Sequence, residues 1–323
     1  MLVAVCHSEE SGWKEVEDLS EISDLRAESG NLLWAEADVS GITPEEIALI
    51  AEEFNLDPLA VEDAGEFRQR PKLDDFDRHL FVVFHELDEV RGQLEATQIS
   101  CFIGDRFVLT LHAGAGRIIE KAKSRWLKDE KRLGAEPGYL VYTLLDVLVD
   151  DFETIVDGLD DEIERLEEIV LRDPTEPVQR ELYAVKQKLS RLRRYVLPNE
   201  RVLEWILEGP GREAVGRHSH HYFQDVNDHL LRTADQIRNI DDLTDAVLDL
   251  RRAEQATALN EVTKRLTGWA AIITVPTFIA SVYGMNFKLV PHDQTIFGFW
   301  FAITLMVLSS SGLYLYFKRR TWI

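Results

Sequence analysis

Cysteine is almost absent: the 323 residues contain two, Cys6 and Cys101, each inside an apolar, strand-like run. Without a CxxC or any comparable spacing, a cysteine-held metal centre is excluded, and buried reduced thiols are expected. Basic residues are also few, 36 against 58 acids, for a net charge of −22. So acidic a chain repels nucleic acid and anionic head groups and attracts metal cations, which excludes nucleic acid as a partner. Nothing like a phosphate-binding P-loop occurs and no nucleophile–base pair stands out, so the chain is not expected to be an enzyme. Met1-Leu2-Val3-Ala4-Val5 lacks a basic leading region and soon turns acidic, unlike a signal peptide.

Charge itself is missing from two stretches near the end, Leu266–Phe287 and Gln294–Phe317, of 22 and 24 residues. A bilayer-spanning helix needs about 20 apolar residues. Only a few residues separate the stretches, so they form a membrane hairpin with a very short loop. Residues 264–323 hold six Lys or Arg and one acid, Asp293, which leaves 30 basic and 57 acidic residues upstream. Lys264 and Arg265 precede the first span and Lys318-Arg319-Arg320 follow the second, whereas the loop carries only Lys288 against Asp293. By the positive-inside rule both termini are cytoplasmic and the loop faces outside.

The predicted fold class is α+β: an N-terminal cytoplasmic α/β domain (1–137), a long helical hairpin (138–221), a stalk helix (222–265) and two C-terminal transmembrane helices (266–287 and 295–317). An external loop (288–294) joins the two spans and a basic cytoplasmic tail (318–323) closes the chain. Strand-like runs rich in Val, Phe, Ile and Thr occur at Leu2–His7, Leu32–Ala37, Leu80–Glu86 and Ile99–Leu111. Thr43-Pro44-Glu45-Glu46 reads as a capping box opening a helix with Ile47, Ile50, Ala51 and Phe54 on one face. Asp57-Pro58 starts a second short helix through Val61 to Ala64. Phe152, Ile155, Leu159, Ile163, Leu166 and Val170 then recur at helical spacing until Asp173-Pro174, and Val178, Leu182, Val185, Leu189, Leu192 and Val196 repeat after Pro177. From about Tyr222 neither Pro nor Gly occurs until Gly268. A single helix of about 65 residues, roughly 100 Å long, is predicted to run from the cytosol through the bilayer. Its apolar stripe calls for self-association about a central axis. Pro276, inside the first span, permits a bend.

The turn between the spans begins Tyr283-Gly284-Met285-Asn286-Phe287. Ahead of it stand Asn260-Glu261-Val262-Thr263-Lys264-Arg265-Leu266-Thr267 and Pro276-Thr277-Phe278-Ile279-Ala280, and Phe317-Lys318-Arg319-Arg320-Thr321-Trp322-Ile323 closes the chain. With Arg68-Gln69-Arg70-Pro71-Lys72 and Phe223-Gln224-Asp225-Val226-Asn227-Asp228-His229 upstream, the chain resembles the CorA-type magnesium/divalent metal ion transporters along nearly its whole length. Their hallmark is Gly-Met-Asn at the outer end of the first of two C-terminal membrane helices.

The resemblance implies a homopentameric, channel-like transporter of hydrated Mg²⁺ in the cell (inner) membrane, gated by cytoplasmic Mg²⁺ and holding no organic cofactor. Mg²⁺ gives up its water reluctantly and is usually gripped through it. A ring formed by Gly284, Met285 and Asn286 would meet the hydration shell with neutral oxygens; Asn286 equally suits a helix C-cap. By matching position, Asn260, Thr263, Leu266, Thr267, Thr274, Thr277 and Ser281 would line the pore, with Leu266 an apolar constriction able to gate by dewetting. Small residues at such positions also serve helix packing. Family members often carry Met where Thr274 stands. Glu62, Asp63, Asp146, Asp225 and His229 match the family's regulatory Mg²⁺ sites between subunits, against a background in which most acids are solvated surface groups and a histidine can simply pack. The chain departs from the family after the motif, where Lys288 and His292 stand in place of the common acids. A lysine ring would repel cations, and His292 favours softer metals. The alternative is therefore the same architecture carrying Zn²⁺, Co²⁺ or Ni²⁺, or a non-conducting metal sensor.

Overall fold

The computed structural model describes residues 2–8, 12–16, 19–28, 30–66, 69–114, 116–128, 136–173, 176–208, 215–216, 219–285 and 296–323. Two compact units emerge, one of residues 1–168 with 177–245 and one of residues 169–176 with 246–323.

The first unit is built on a seven-stranded sheet. Its strands are β1 (Leu2–Ser8), β2 (Gly12–Val16), β3 (Leu32–Asp38), β4 (Lys72–Phe76), β5 (His79–Val90), β6 (Gln93–Gly104) and β7 (Phe107–His112), in the order β2-β1-β3-β7-β6-β5-β4. All neighbours are antiparallel except β3 and β7, which run parallel in the middle, with Leu33 opposite Phe107 and Ala35 opposite Leu109. The run Ile99–Leu111 is thus two strands, because Asp105-Arg106 make a two-residue turn. Side chains alternate between faces with period two. Ala4, Cys6, Leu33, Ala35, Phe81, Phe102 and Leu109 pack on one face with Ile50, Phe54, Ala60 and Ala64. On the other face Trp34 meets Trp126 edge-on at 5.8 Å. Both faces are covered, so the central strands are buried almost continuously. Cys6 and Cys101 are free and buried, and burial pushes both thiols up.

The helices on the first face are α1 (Leu19–Ala27), α2 (Pro44–Phe54) and α3 (Pro58–Gly65). The Thr43 hydroxyl accepts from the Glu46 N–H while the Glu46 carboxylate accepts from the Thr43 N–H, the reciprocal cap expected from sequence. Asp57 accepts from the Leu59 N–H and Pro58 opens α3. Next come α4 (Arg117–Lys128), α5 (Gly138–Arg172), α6 (Gln179–Tyr195) and α7 (Pro198–Glu208). The stripe Leu182, Val185, Leu189, Leu192 and Val196 is wholly buried. On α5 the stripe holds with a shift of one residue, Val156 being buried where Ile155 is half-buried.

One helix, α8 (His220–Tyr283, 64 residues), passes without interruption from the first unit into the second. The second unit is completed by α9 (Ile296–Arg319) and the short tail. Both α8 and α9 contain a window long and apolar enough to cross a membrane.

Candidate functional site: a hydroxyl stripe and an acidic patch

The two candidate regions lie in different units and are built differently. In the second unit, α8 and α9 form an antiparallel pair. Ser310 Oγ approaches the Ile272 carbonyl at 3.5 Å, and Trp269 lies 6.4 Å from Tyr314. Pro276 explains the first contact. Lacking an N–H, it leaves the carbonyl four residues earlier, that of Ile272, without its helical partner, and Ser310 reaches toward that orphan from the neighbouring helix. Sequence reasoning singled out Pro276 but not Ser310, whose signal is the Ser309-Ser310-Ser311 triplet inside an apolar span. Near the other end of α9, a Cβ on Gly268 would meet Ile323 side-chain carbons at 3.1 and 3.2 Å, so glycine lets the tail close on α8. Trp322 stacks on Phe317 at 5.4 Å and its N–H donates to the Phe317 carbonyl, with Thr321 at φ +57° between them. This is a Schellman cap with its usual hydrophobic contact, threonine standing where glycine is common.

In the second unit the side of α8 turned away from α9 is bare, and the side toward α9 is covered. Gly268 is buried there, and Ala271, Ile272, Val275, Pro276, Ile279 and Val282 are half-buried. Asn260, Thr263, Leu266, Thr267, Thr274, Thr277 and Ser281 are all exposed, Leu266 to 71%. At about 100° per residue these seven fall in one stripe roughly 120° wide, turned away from α9. The hydroxyls of Thr263 and Thr277 donate back to the carbonyls of Leu259 and Ile273, at 2.9 and 2.8 Å. Those donors are spent within the helix, and the hydroxyl oxygens face outward as acceptors. Gly284 and Met285 continue from the helix end, their N–H groups donating to Ala280 and Val282. Asn286, Lys288, His292 and Asp293 lie outside the described residues.

In the first unit, α5 and α8 place acids and aromatics face to face. Asp146, Asp150 and Glu153 follow one another along α5, and Tyr222, Asp225 and His229 along α8. His229 Nδ1 lies 3.0 Å from Glu153 Oε1. Asp146 pairs with Arg125 of α4, whose other nitrogen holds Asp150 at 2.7 Å. Burial and then the neighbouring Asp150 charge raise the Asp146 carboxyl above its usual range; Asp225 adds to the rise and His229 opposes it. Tyr142 is pushed up to about 12 by burial and by the charges of Asp146 and Asp225. Asp146, Asp225 and His229 therefore belong to one electrostatic patch. Glu62 and Asp63 stand on α3, with Glu62 exposed. Asp63 Oδ2 is 2.5 Å from Lys72 Nζ, and its other oxygen accepts from Gln69 Nε2 at 3.3 Å. Among the described residues, no group of three or more His, Cys, Asp or Glu could hold a metal ion within the chain. Arg125, which holds Asp146, escaped sequence reasoning, and Lys72 was read only as part of the Arg68–Lys72 motif and not as the partner of Asp63. A signal for Arg125 exists in the four-residue steps Arg117, Lys121, Arg125 along α4.

Comparison with known proteins agrees with this architecture. Residues 30–319 match the family model described as CorA-like Mg²⁺ transporter protein. A putative metal ion transporter, YfjQ of Bacillus subtilis, is 30% identical over 304 residues, covering 94% of each chain. The cobalt/magnesium transport protein CorA of Thermotoga maritima is 30% identical over 277 residues, covering 85% of this chain and 79% of that one. The complete structure of the CorA magnesium transporter from Methanocaldococcus jannaschii superposes with a TM-score of 0.80 over 99% of both chains, at 19% identity, which speaks for the fold. With its N-terminal sheet domain, its long helix and its two C-terminal apolar helices, this chain belongs to the CorA-like Mg²⁺ transporter family, a family of divalent-cation transporters rather than of enzymes.

Proposed function

We propose that the protein is a homopentameric, channel-like transporter that carries hydrated Mg²⁺ through the cell membrane, with both termini in the cytoplasm, and that cytoplasmic Mg²⁺ closes it. The observation that carries this reading is the bare stripe of α8, with five hydroxyl groups, one amide and Leu266 leading to Gly284-Met285-Asn286. A hydrated cation turns its water hydrogens outward, so it needs a wall of acceptors, and such a wall holds it weakly enough to let it pass. Five copies of the stripe around an axis would make that wall. Asn286 from each subunit would form the filter, and Leu266 the constriction.

For regulation, Glu62 and Asp63 of one subunit would approach Asp225 and His229 of the next, with Asp146 close behind. Carboxylates brought together in this way repel until a divalent ion bridges them, which favours the closed, symmetric state at high Mg²⁺. The membrane potential supplies the driving force, without ATP. Lys288 and His292 after the motif support a second reading, in which the same pore passes Zn²⁺, Co²⁺ or Ni²⁺. Ion flux into proteoliposomes, comparing Mg²⁺ with Zn²⁺ and Co²⁺, separates the two. Mg²⁺ uptake supports the first, uptake of Zn²⁺ alone supports the second, and absence of any divalent flux overturns transport.

A further inference from the structure

Lys72 holds Asp63, but Arg70 and Pro71 serve neither the pore nor the acidic patch, and the three residues form one wall of a groove of about 600 Å³. The opposite wall is the start of α7, with Leu197, Pro198, Arg201, Val202 and Trp205. Its chemistry runs against the rest of the soluble part, where 57 acids outnumber 30 bases: among the described residues the groove is lined by three cations and no carboxylate. Lys72 is already engaged by Asp63 and Asp74. Arg70 and Arg201 are exposed and have no ion partner among the described residues. Buried Pro71 and Val202 make an apolar floor, and the half-buried Trp205 indole completes the lining.

Two unpaired guanidiniums beside an aromatic ring suit one class of ligand. Guanidinium groups grip phosphate oxygens through paired N–H donors, and an indole face stacks on a nucleobase. A cavity of this volume falls within the usual range for small-ligand sites. We infer that the groove between Arg70-Pro71-Lys72 and α7 is a nucleotide site, with Arg70 and Arg201 on the phosphates and Trp205 against the base.

The test uses the full chain in detergent with EDTA present, so that metal binding plays no part, and titrates it with ATP by calorimetry. Saturable binding is expected, weakened at least tenfold in Arg70→Glu and in Arg201→Glu, both surface positions. Trp205→Ala should weaken ATP at least fivefold yet leave tripolyphosphate unaffected, and Trp205→Phe should restore most of the loss. Absence of saturable ATP binding would overturn the proposal. So would tripolyphosphate binding as tightly as ATP, wild-type affinity in Arg201→Glu, or displacement of ATP by a poly-glutamate peptide at equal charge, which would make the groove a seat for an acidic protein segment.

Discussion

Lys72 Nζ lies 2.5 Å from Asp63 Oδ2 and 2.7 Å from Asp74 Oδ2, so the α3 carboxylate proposed for metal sensing carries a resident cation from its own chain. A divalent ion bridging Asp63 to a neighbouring subunit would have to displace or share that ammonium. At this partial exposure the pair is worth about 0.2–1 kcal/mol. Lys72→Met is therefore expected to lower the Mg²⁺ concentration that half-closes the transporter by about 1.4- to 5-fold, read as flux against internal Mg²⁺. An unchanged or higher half-closing concentration would refute competition between Lys72 and metal.

Replacing both Asp63 and Asp225 by alanine removes a carboxylate from each side of the proposed bridge. Protection of the full chain from limited proteolysis by millimolar Mg²⁺ is expected to disappear, while Mg²⁺ uptake persists. If Mg²⁺ protects the double variant as it does the parent, the assignment of these acids to sensing falls.

Asn286→Ala keeps a small residue at the end of the motif but deletes the carboxamide. Mg²⁺ uptake into proteoliposomes should drop at least tenfold, with the oligomer unchanged by light scattering. Uptake within twofold of the parent would count against a filter at this position.

His85 is buried against the Tyr195 ring at 4.6 Å, and burial, aided by Arg194, lowers its pKa from 6.5 to about 4. The unfolded chain takes up this proton near pH 6.5, whereas the folded chain resists until about pH 4. The contribution of His85 to stability is thus complete above about pH 6.5 and declines as pH falls toward 4, by about 3 kcal/mol over the window. His85→Phe preserves a ring beside Tyr195 and removes the proton site. Its Tm should fall less between pH 7 and pH 4.5 than that of the parent; parallel curves would show that another group governs the acid limb.

The contact from Ser310 to the Ile272 carbonyl predicts a small, local effect. Ser310→Ala leaves that carbonyl in lipid without a partner, at a cost of about 0.6 kcal/mol, the typical worth of an interhelical hydrogen bond in a membrane. The variant should melt slightly below the parent in detergent. A Ser310→Ala, Pro276→Ala double variant, in which the helix can satisfy Ile272 itself, should recover the loss; no recovery would sever the link between the two residues.

Elements whose stability is written locally were legible in the sequence. The Thr43–Glu46 cap needs only four adjacent residues, and the buried stripe of α6 needs only its period. The same holds for α8, where the lack of Pro and Gly over more than forty residues leaves no place to stop. Helix α4 stayed hidden because five cations interleave its buried Ile118, Ile119, Ala122 and Trp126. Strand β4, Lys-Leu-Asp-Asp-Phe at the sheet edge, has almost no apolar alternation to betray it. The site shows the same division. The residues of the α8 stripe were named through the family resemblance, and helical spacing sets them on one face, but what holds Asp63 and Asp146 has no such signal. Arg125 reaches Asp146 across 21 residues, and Lys72 reaches Asp63 across nine. Partners set by tertiary packing leave little trace in any window short enough to read.

The inward donation of the Thr263 and Thr277 hydroxyls bears on the sign of the charge that the proposed pore would pass. A conduit walled by such groups offers lone pairs and withholds protons. A hydrated cation turns both hydrogens of each bound water outward and finds partners all round it, while a hydrated anion keeps one hydrogen of each water for itself and so offers such a wall fewer donors. Discrimination between opposite charges can thus be built into the threonines without a single ionised side chain, so it should survive changes of salt that would screen a ring of carboxylates.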